Sequence, residues 1–211
     1  MRLEKIGDFS FGITEAEDLW QIRTFHHDAF LNIGYIENAY PSGMIEDVFV
    51  DLSTYYYCIN DITGAIVGVI RQINGSHLRV PTLCDFEIYP EIASQISKIM
   101  WPRIVEIGSL AVNRSARGVA EGLYRQIWQR SMSALHTHWI ASIDNHLLLA
   151  FRKSRGFLWQ DIGNTKVYMG SKTTPVIANL NEQSLSMKKL APDFYDYINS
   201  CTTPSCLFKV R

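Results

Sequence analysis

The segment from Ile104 to Trp128 constrains the fold most: IVEIGSLAVNRSARGVAEGLYRQIW. From Ile104 to Val112 it is apolar apart from Glu106 and Ser109, which predicts a strand. A regular strand puts Glu106, Gly108, Leu110 and Val112 on one face. An acid inside such a run needs a partner or a task, because burying a bare carboxylate is costly. Asn113 to Arg117 reads as a basic, polar turn. A helix follows from about Gly118 to His136, with the stripe Val119, Leu123, Ile127, Met132 and Leu135, and with Arg125, Gln129 and Arg130 on its outer face. Its opening, Arg117-Gly118-Val119-Ala120-Glu121-Gly122, places small residues beside free helix-start amides. Those amides and the helix dipole favour an anion, and Arg114 and Arg117 add charge. The glycine spacing is that of neither a Walker loop nor a dinucleotide fingerprint. A phosphate cradle and a tightly packed strand–helix junction both fit it.

The rest of the chain alternates strands and helices without repeat or linker, which predicts one α/β (α+β) domain with a mixed sheet flanked by helices. Phe9 to Ile13 reads as the first strand. Thr14-Glu15-Ala16-Glu17 has the form of a capping box, opening a helix that runs to about Ile33 and stops at Gly34. Arg23 and His27 fall within the apolar arc of that helix, where a charge needs a partner. The connection from Gly34 to Asp51 carries Glu46, Asp47 and Asp51. Thr54 to Ile59 and Ala65 to Ile73 form a hairpin ending near Arg71. A loop from Asn74 to Pro81 and a helix from Pro90 to Met100 follow. After the central helix come a strand (Trp139 to Ile143), a helix (Asn145 to Ser154), and strands near Phe157 to Ile162 and Thr165 to Gly170. Pro175 to Leu180 extends the sheet, and two short helices run to Asn199. Residues 1–180 form the main domain, with 181–211 as a helical extension packed on it.

A chain of 211 residues with 20 basic and 21 acidic groups offers no global basic excess for nucleic acid. No apolar run reaches membrane-spanning length and no signal peptide is visible, so a cytoplasmic protein is expected. The 4 cysteines form no CxxC pair. Cys201 and Cys206 are close enough for a loop clip or are two free thiols. His136 and His138 lack the further ligands of a metal site, so no metal is expected.

The motifs resemble the Gcn5-related acyltransferase superfamily. Its signature is a strand followed by Arg/Gln-x-x-Gly/Ala-x-Gly/Ala opening a helix, and Arg117 to Gly122 is similar to it. Asn145, Phe151 and Gly156-Phe157 resemble its later asparagine-led helix and its "Tyr/Phe-x-x-x-Gly-Phe" ending, with one additional residue of spacing. Arg23, Phe30, Gly34-Tyr35-Ile36, Asp47, Asp51, Tyr55, Arg71, Glu106 and Leu110-Ala111-Val112 occur in the order seen in one branch. That branch contains autoinducer (acyl-homoserine lactone) synthases and long-chain N-acyl amino acid synthases. Ser109 stands where the branch usually has arginine.

The resemblance implies splayed central strands, with the acyl donor's pantetheine arm in the gap. It implies transfer of a long acyl chain from acyl carrier protein or coenzyme A to the amine of an amino acid or similar small molecule. The donor is then a co-substrate, and no cofactor is tightly bound. Glu106 is the expected base, with a pKa raised by burial; with it Arg71, joined by Arg23, is expected to bind the acceptor's carboxylate, and Asp47 or Asp51 to hold the acceptor's ammonium or those arginines. Leu110, Val112, Arg117, Gly118, Ala120 and Gly122 are expected to hold the donor, and Arg23, Tyr35 and Asp51 the acceptor. Arg114, Arg125, Arg130, Arg152, Lys153 and Arg155 offer a basic rim for an acidic carrier protein or a nucleotide diphosphate. An acetyl-coenzyme A-dependent N-acetyltransferase and a non-catalytic acyl-carrier-binding module are the alternatives.

Overall fold

The computed structural model describes residues 2–14, 18–75 and 79–200. Among the described residues nine strands form one sheet: β1 (Arg2–Ile6), β2 (Phe9–Ile13), β3 (Ser53–Asn60), β4 (Ile66–Ile73), β5 (Ile104–Val112), β6 (His138–Asp144), β7 (Gln160–Asp161), β8 (Lys166–Tyr168) and β9 (Ser171–Asn179). Their order is β1-β2-β3-β4-β5-β6-β9-β7, with β8 paired to β9. Every pairing is antiparallel except β5 with β6. The helices are α1 (Leu19–Asn32), α2 (Pro81–Asp85), α3 (Pro90–Ile96), α4 (Val119–Ser133), α5 (Asn145–Ser154), α6 (Leu180–Leu190) and α7 (Pro192–Asn199). None among the described residues is long and apolar enough to cross a membrane.

Alternation along the strands feeds two faces. Tyr56, Cys58, Ile70, Val105, Ile107, Trp139 and Ala141 pack with Val119, Leu123 and Ile127 of α4. On the other face Tyr55, Tyr57 and Val69 meet Ile22 and Phe30 of α1, while Ile104, Ile140 and Ile177 meet Ile92 and Ile96 of α3. The helix α4 lies very close to the sheet. A methyl group at Gly122 would sit 2.3 Å from the Phe11 ring, and one at Gly68 would sit 2.5 Å from Val119. Glycine at both positions lets helix and strand approach.

Two departures from regular geometry position the site. The parallel ladder between β5 and β6 runs only from Ile104↔His138 to Glu106↔Ile140. Beyond it β5 stays with β4 as far as Gly68↔Val112, and β6 stays with β9 as far as Asp144↔Thr173. The sheet therefore splits after Glu106, as expected. The second departure is a bulge: Val69 pairs with Ala111 and Arg71 with Gly108, so Ser109 and Leu110 together oppose Ile70. Ser109 takes a left-handed conformation at φ 52. The bulge overturns the expected single face of β5. Leu110 and Val112 pack on the α4 side, whereas Ala111 joins the α1 side.

Other expectations also need correction. The strand β1 was not foreseen, nor was α2. The Thr14 hydroxyl donates to the Tyr55 carbonyl at 2.9 Å. The helix α1 starts at Leu19 behind Asp18, and residues 15–17 of the expected capping box lie outside the described residues. The helix at Pro90 ends at Ile96, and β9 is one long strand that includes Pro175. Arg125 is not on an outer face: it is 2% exposed, donates to the Ser200 carbonyl at 2.6 Å and lies over the Tyr197 ring. Trp128 donates to Asn199 at 3.0 Å beside it. The helix α7 thus covers the side of α4 that the sheet leaves bare. Cys58 is a free thiol, while Cys201 and Cys206 lie outside the described residues.

Candidate functional site

The split between β5 and β6 opens into a cavity of about 500 Å³ that passes from one face of the sheet to the other. Its apolar end lies on the α4 and α5 side and is lined by Tyr124, Ala141, Ile143, Leu147, Phe151 and Trp159. Phe157 stacks on Trp159 with 5° between the rings, and Trp159 on Trp139 with 27°, so this end rests on a rigid aromatic floor.

The polar end lies on the α1 side. Arg71 is 3% exposed and projects from β4 beside Tyr55. Its Nε donates to Ser53 Oγ at 2.8 Å, its Nη1 pairs with Asp47, and its guanidinium sits 5.3 Å from the centre of the Tyr55 ring. Its Nη2 is buried without a hydrogen-bond partner. Asp47 also accepts from the Phe49 amide at 2.7 Å. Burial alone would raise the Asp47 pKa. The hydrogen bond and charge of Arg71 outweigh it and hold the carboxyl below its usual range.

Glu106 lies on the last rung before the split, is 4% exposed, and lines the cavity. One carboxylate oxygen accepts from the Thr82 amide at 2.9 Å, so α2 holds it in place. Burial pushes its pKa up to about 8, against the Thr82 bonds and the Arg71 charge. A carboxyl so placed exchanges a proton near neutrality.

The two adjacent histidines of α1 differ. His27 is satisfied: its Nδ1 meets Asp28 at 2.8 Å and its Nε2 accepts from the Tyr40 amide at 3.1 Å. It fastens the loop after α1. His26 is 5% exposed, lines the cavity and stacks edge-on against Phe30, and its Nε2 has no partner. Sequence reasoning singled out His27 and passed over His26. At Nε2 it is the loop backbone at Tyr40 that distinguishes them.

The other expected residues scatter. Tyr35 lines the cavity, and burial followed by the Asp144 charge raises its pKa. Leu110 lines it as well; Val112, next to the end of the β4 ladder, does not. Arg23 donates to the Ile45 carbonyl at 2.8 Å, tying α1 to the following loop without lining the cavity. Asp51 is exposed in a 3-10 turn (Val50–Leu52) outside it. Arg117 and Gly118 are exposed at the start of α4, where Gly118 takes φ 81 and no side chain caps the helix. Ala120 is half-buried there, and Gly122 faces Phe11 instead of a ligand. The expected basic rim is thinner than its composition: Arg125 is buried, Arg152 pairs with Asp161 and Arg155 pairs with Glu121, each at 2.6 Å. Arg114, Arg117, Arg130 and Lys153 stay exposed.

No protein-family model matches the sequence, and no curated protein matches it. Solved structures do match. A coenzyme A-dependent acyl-homoserine lactone synthase, BjaI, with SAM and isopentyl-CoA, superposes with a TM-score of 0.65 at 19% identity, covering 89% of this chain and 85% of that one. FeeM, an N-acyl amino acid synthase from uncultured soil microbes, gives 0.66 at 15% identity, covering 85% and 94%. The acyl-homoserine lactone synthase LasI gives 0.65 at 14%, covering 87% and 95%. The chain therefore has the mixed α/β fold of these synthases, splayed central strands included, as the motifs around Arg117 and Glu106 led one to expect.

Proposed function

We propose that this protein is an N-acyltransferase that moves a long acyl chain from a carrier thioester to the amine of an amino acid or similar small molecule. The observation that supports this most is the cavity through the sheet, with an aromatic, apolar end on one face and the Arg71–Asp47–Glu106 group on the other. The named activities of the structural neighbours, synthesis of acyl-homoserine lactones and of N-acyl amino acids, support the acyl transfer.

In this reading the acyl chain fills the apolar end and its thioester carbonyl lies in the split beside Leu110. Backbone amides at the bulge polarise that carbonyl. The acceptor lies at the polar end. Glu106, ionised, takes a proton from the acceptor ammonium, because only the free amine attacks. The new C–N bond forms and the C–S bond breaks; of the two protons the nitrogen gives up, one passes from Glu106 to the departing thiolate and the other leaves to solvent. Arg71, fixed by Ser53 and Asp47, orients the acceptor, and fixing two reactants together supplies much of the rate. The free amides at Gly118 and Ala120, with Arg114 and Arg117 nearby, hold the donor's phosphate, whether on coenzyme A or on a carrier protein's prosthetic arm.

Donor length tests this reading. Incubation with acetyl-, octanoyl-, dodecanoyl- and hexadecanoyl-coenzyme A and the corresponding carrier-protein thioesters, in the presence of an amino acid panel, is followed by thiol release. Long-chain donors are expected to turn over fastest. A preference for acetyl would leave an acetyltransferase, and binding without turnover of any donor would leave a carrier-binding module.

A further inference from the structure

We propose that His26 is an acceptor-recognition residue, and that His26 Nε2 and Arg71 Nη2 together bind a carboxylate on the acceptor. This rests on the acyltransfer reading above and narrows its acceptor to a molecule with a free carboxylate.

Both nitrogens belong to side chains more than nine-tenths buried, both side chains line the polar end, and neither nitrogen has a hydrogen-bond partner. A buried polar atom left unpaired is costly, and a bound ligand is one way in which such an atom is completed. The other two nitrogens of Arg71 are already engaged, Nε on Ser53 and Nη1 on Asp47. Nη2 is therefore the corner that a ligand can meet. His26 supplies a second donor from another element, in its Nε2–H tautomer. Burial, with the Arg71 charge adding to it, lowers the His26 pKa to about 3, so the ring is neutral and brings no charge of its own. His26 is thus a poor base but a sound hydrogen-bonding group.

The cations nearest His26 and Arg71 draw a carboxylate, and the further acids that line the cavity, Glu46, Asp85 and Asp144, suit the ammonium of the same acceptor. Arg71 is balanced by Asp47, Arg23 stands nearby on the Ile45 carbonyl, and Glu106 is largely protonated near neutrality. A carboxylate has two oxygens for the two donors. An ester or amide of the same acceptor keeps one carbonyl oxygen and loses the charge. His27, one residue along, marks the contrast, because its ring nitrogens already have protein partners and have nothing to offer a ligand.

The experiment uses the full chain, dodecanoyl-coenzyme A and dodecanoyl-carrier protein as donors, and the proteinogenic amino acids beside their methyl esters as acceptors. The free acids are expected to be preferred over their esters by about tenfold or more in kcat/KM, the scale of one hydrogen bond to a charged group. His26→Phe is expected to raise the acceptor KM about tenfold and leave the donor KM within about twofold, while His26→Gln, which keeps an N–H donor, recovers part of the loss. Equal use of acids and esters by the unaltered protein overturns the inference and leaves acyl transfer standing. So does an acceptor KM unmoved in a folded His26→Phe protein. Acylation of no acceptor at all overturns the acyltransfer reading, and this inference with it.

Discussion

The two ends of the cavity are built in opposite ways. The apolar end is the hydrophobic core left open: Ala141, Ile143 and Phe151 line it and also belong to the cluster that holds α4 and α5 on the sheet. The polar end is assembled from the loop after α1, the end of β4 and the last paired residue of β5, and is held by directed contacts: Ser53 and Asp47 on Arg71, Thr82 on Glu106. Apolar packing is tolerant of shape and sums many small terms. A buried charge network fails when one member goes. The two ends should therefore respond to substitution in different observables.

Glu106→Gln is expected to cost most. It removes the proposed base and should lower kcat by about 10²- to 10⁴-fold with both KM values little changed. In the unaltered protein kcat/KM should climb as pH rises toward about 8, where Glu106 ionises. Ordinary turnover by the Glu106→Gln protein would show that the base lies elsewhere. Arg71→Ala comes next. It leaves Asp47 without its cation and should destabilise the fold by about 3 kcal/mol, the lower end for a broken buried pair because Asp47 is partly exposed, as read by urea unfolding. Full stability of the Arg71→Ala protein would mean that the polar end is as tolerant as the apolar one.

Ala141→Leu sharpens the contrast from the other side. In a packed core the added atoms would cost about 1–3 kcal/mol. At this cavity wall they fill open space, so the melting temperature should hold while the preferred donor becomes shorter. A large loss of stability with no change of donor preference would show that Ala141 faces packed core. The smallest effect is one of linkage. The folded pKa of Glu106, about 8, lies above its unfolded value of 4.5, so the native state holds the proton more tightly. Stability from this group is complete below about pH 4.5 and is lost as pH rises through 8. Glu106→Gln should flatten that decline in a melting series, whatever it does to turnover.

Much of the fold could be read from local pattern. The long apolar run of β5 is found as written, and α5 runs from Asn145 to Ser154 because Asp144 accepts from the amides of His146 and Leu147 at its start. The split between β5 and β6 came only from the motif resemblance, since nothing in either strand's own periodicity reports where their ladder stops. The unread parts depend on contacts between distant segments. The strand β1 is short, mixes charged and apolar residues, and lies at the sheet edge, so it gives little signal. Arg125 read as an outer residue because a helix wheel shows one apolar stripe and cannot foresee a second layer such as α7. At the site, Glu106, Arg71 and Asp47 were legible as charges in apolar or acidic settings. His26 was not, because its lack of a partner is visible only against the satisfied His27 and the buried Arg71.

The tie between α7 and α4 carries a consequence for the order of assembly. Arg125 and Trp128 reach partners more than 70 residues further along the chain, at Ser200 and Asn199. During synthesis α4 emerges from the ribosome well before the segment that will cover it, and must wait with an arginine and an indole N–H short of their final contacts. Such long-range closure slows folding. The helix that opens at the proposed donor site thus takes its final packing late, so a nascent chain would have the sheet and its split before it has a settled wall to hold a thioester.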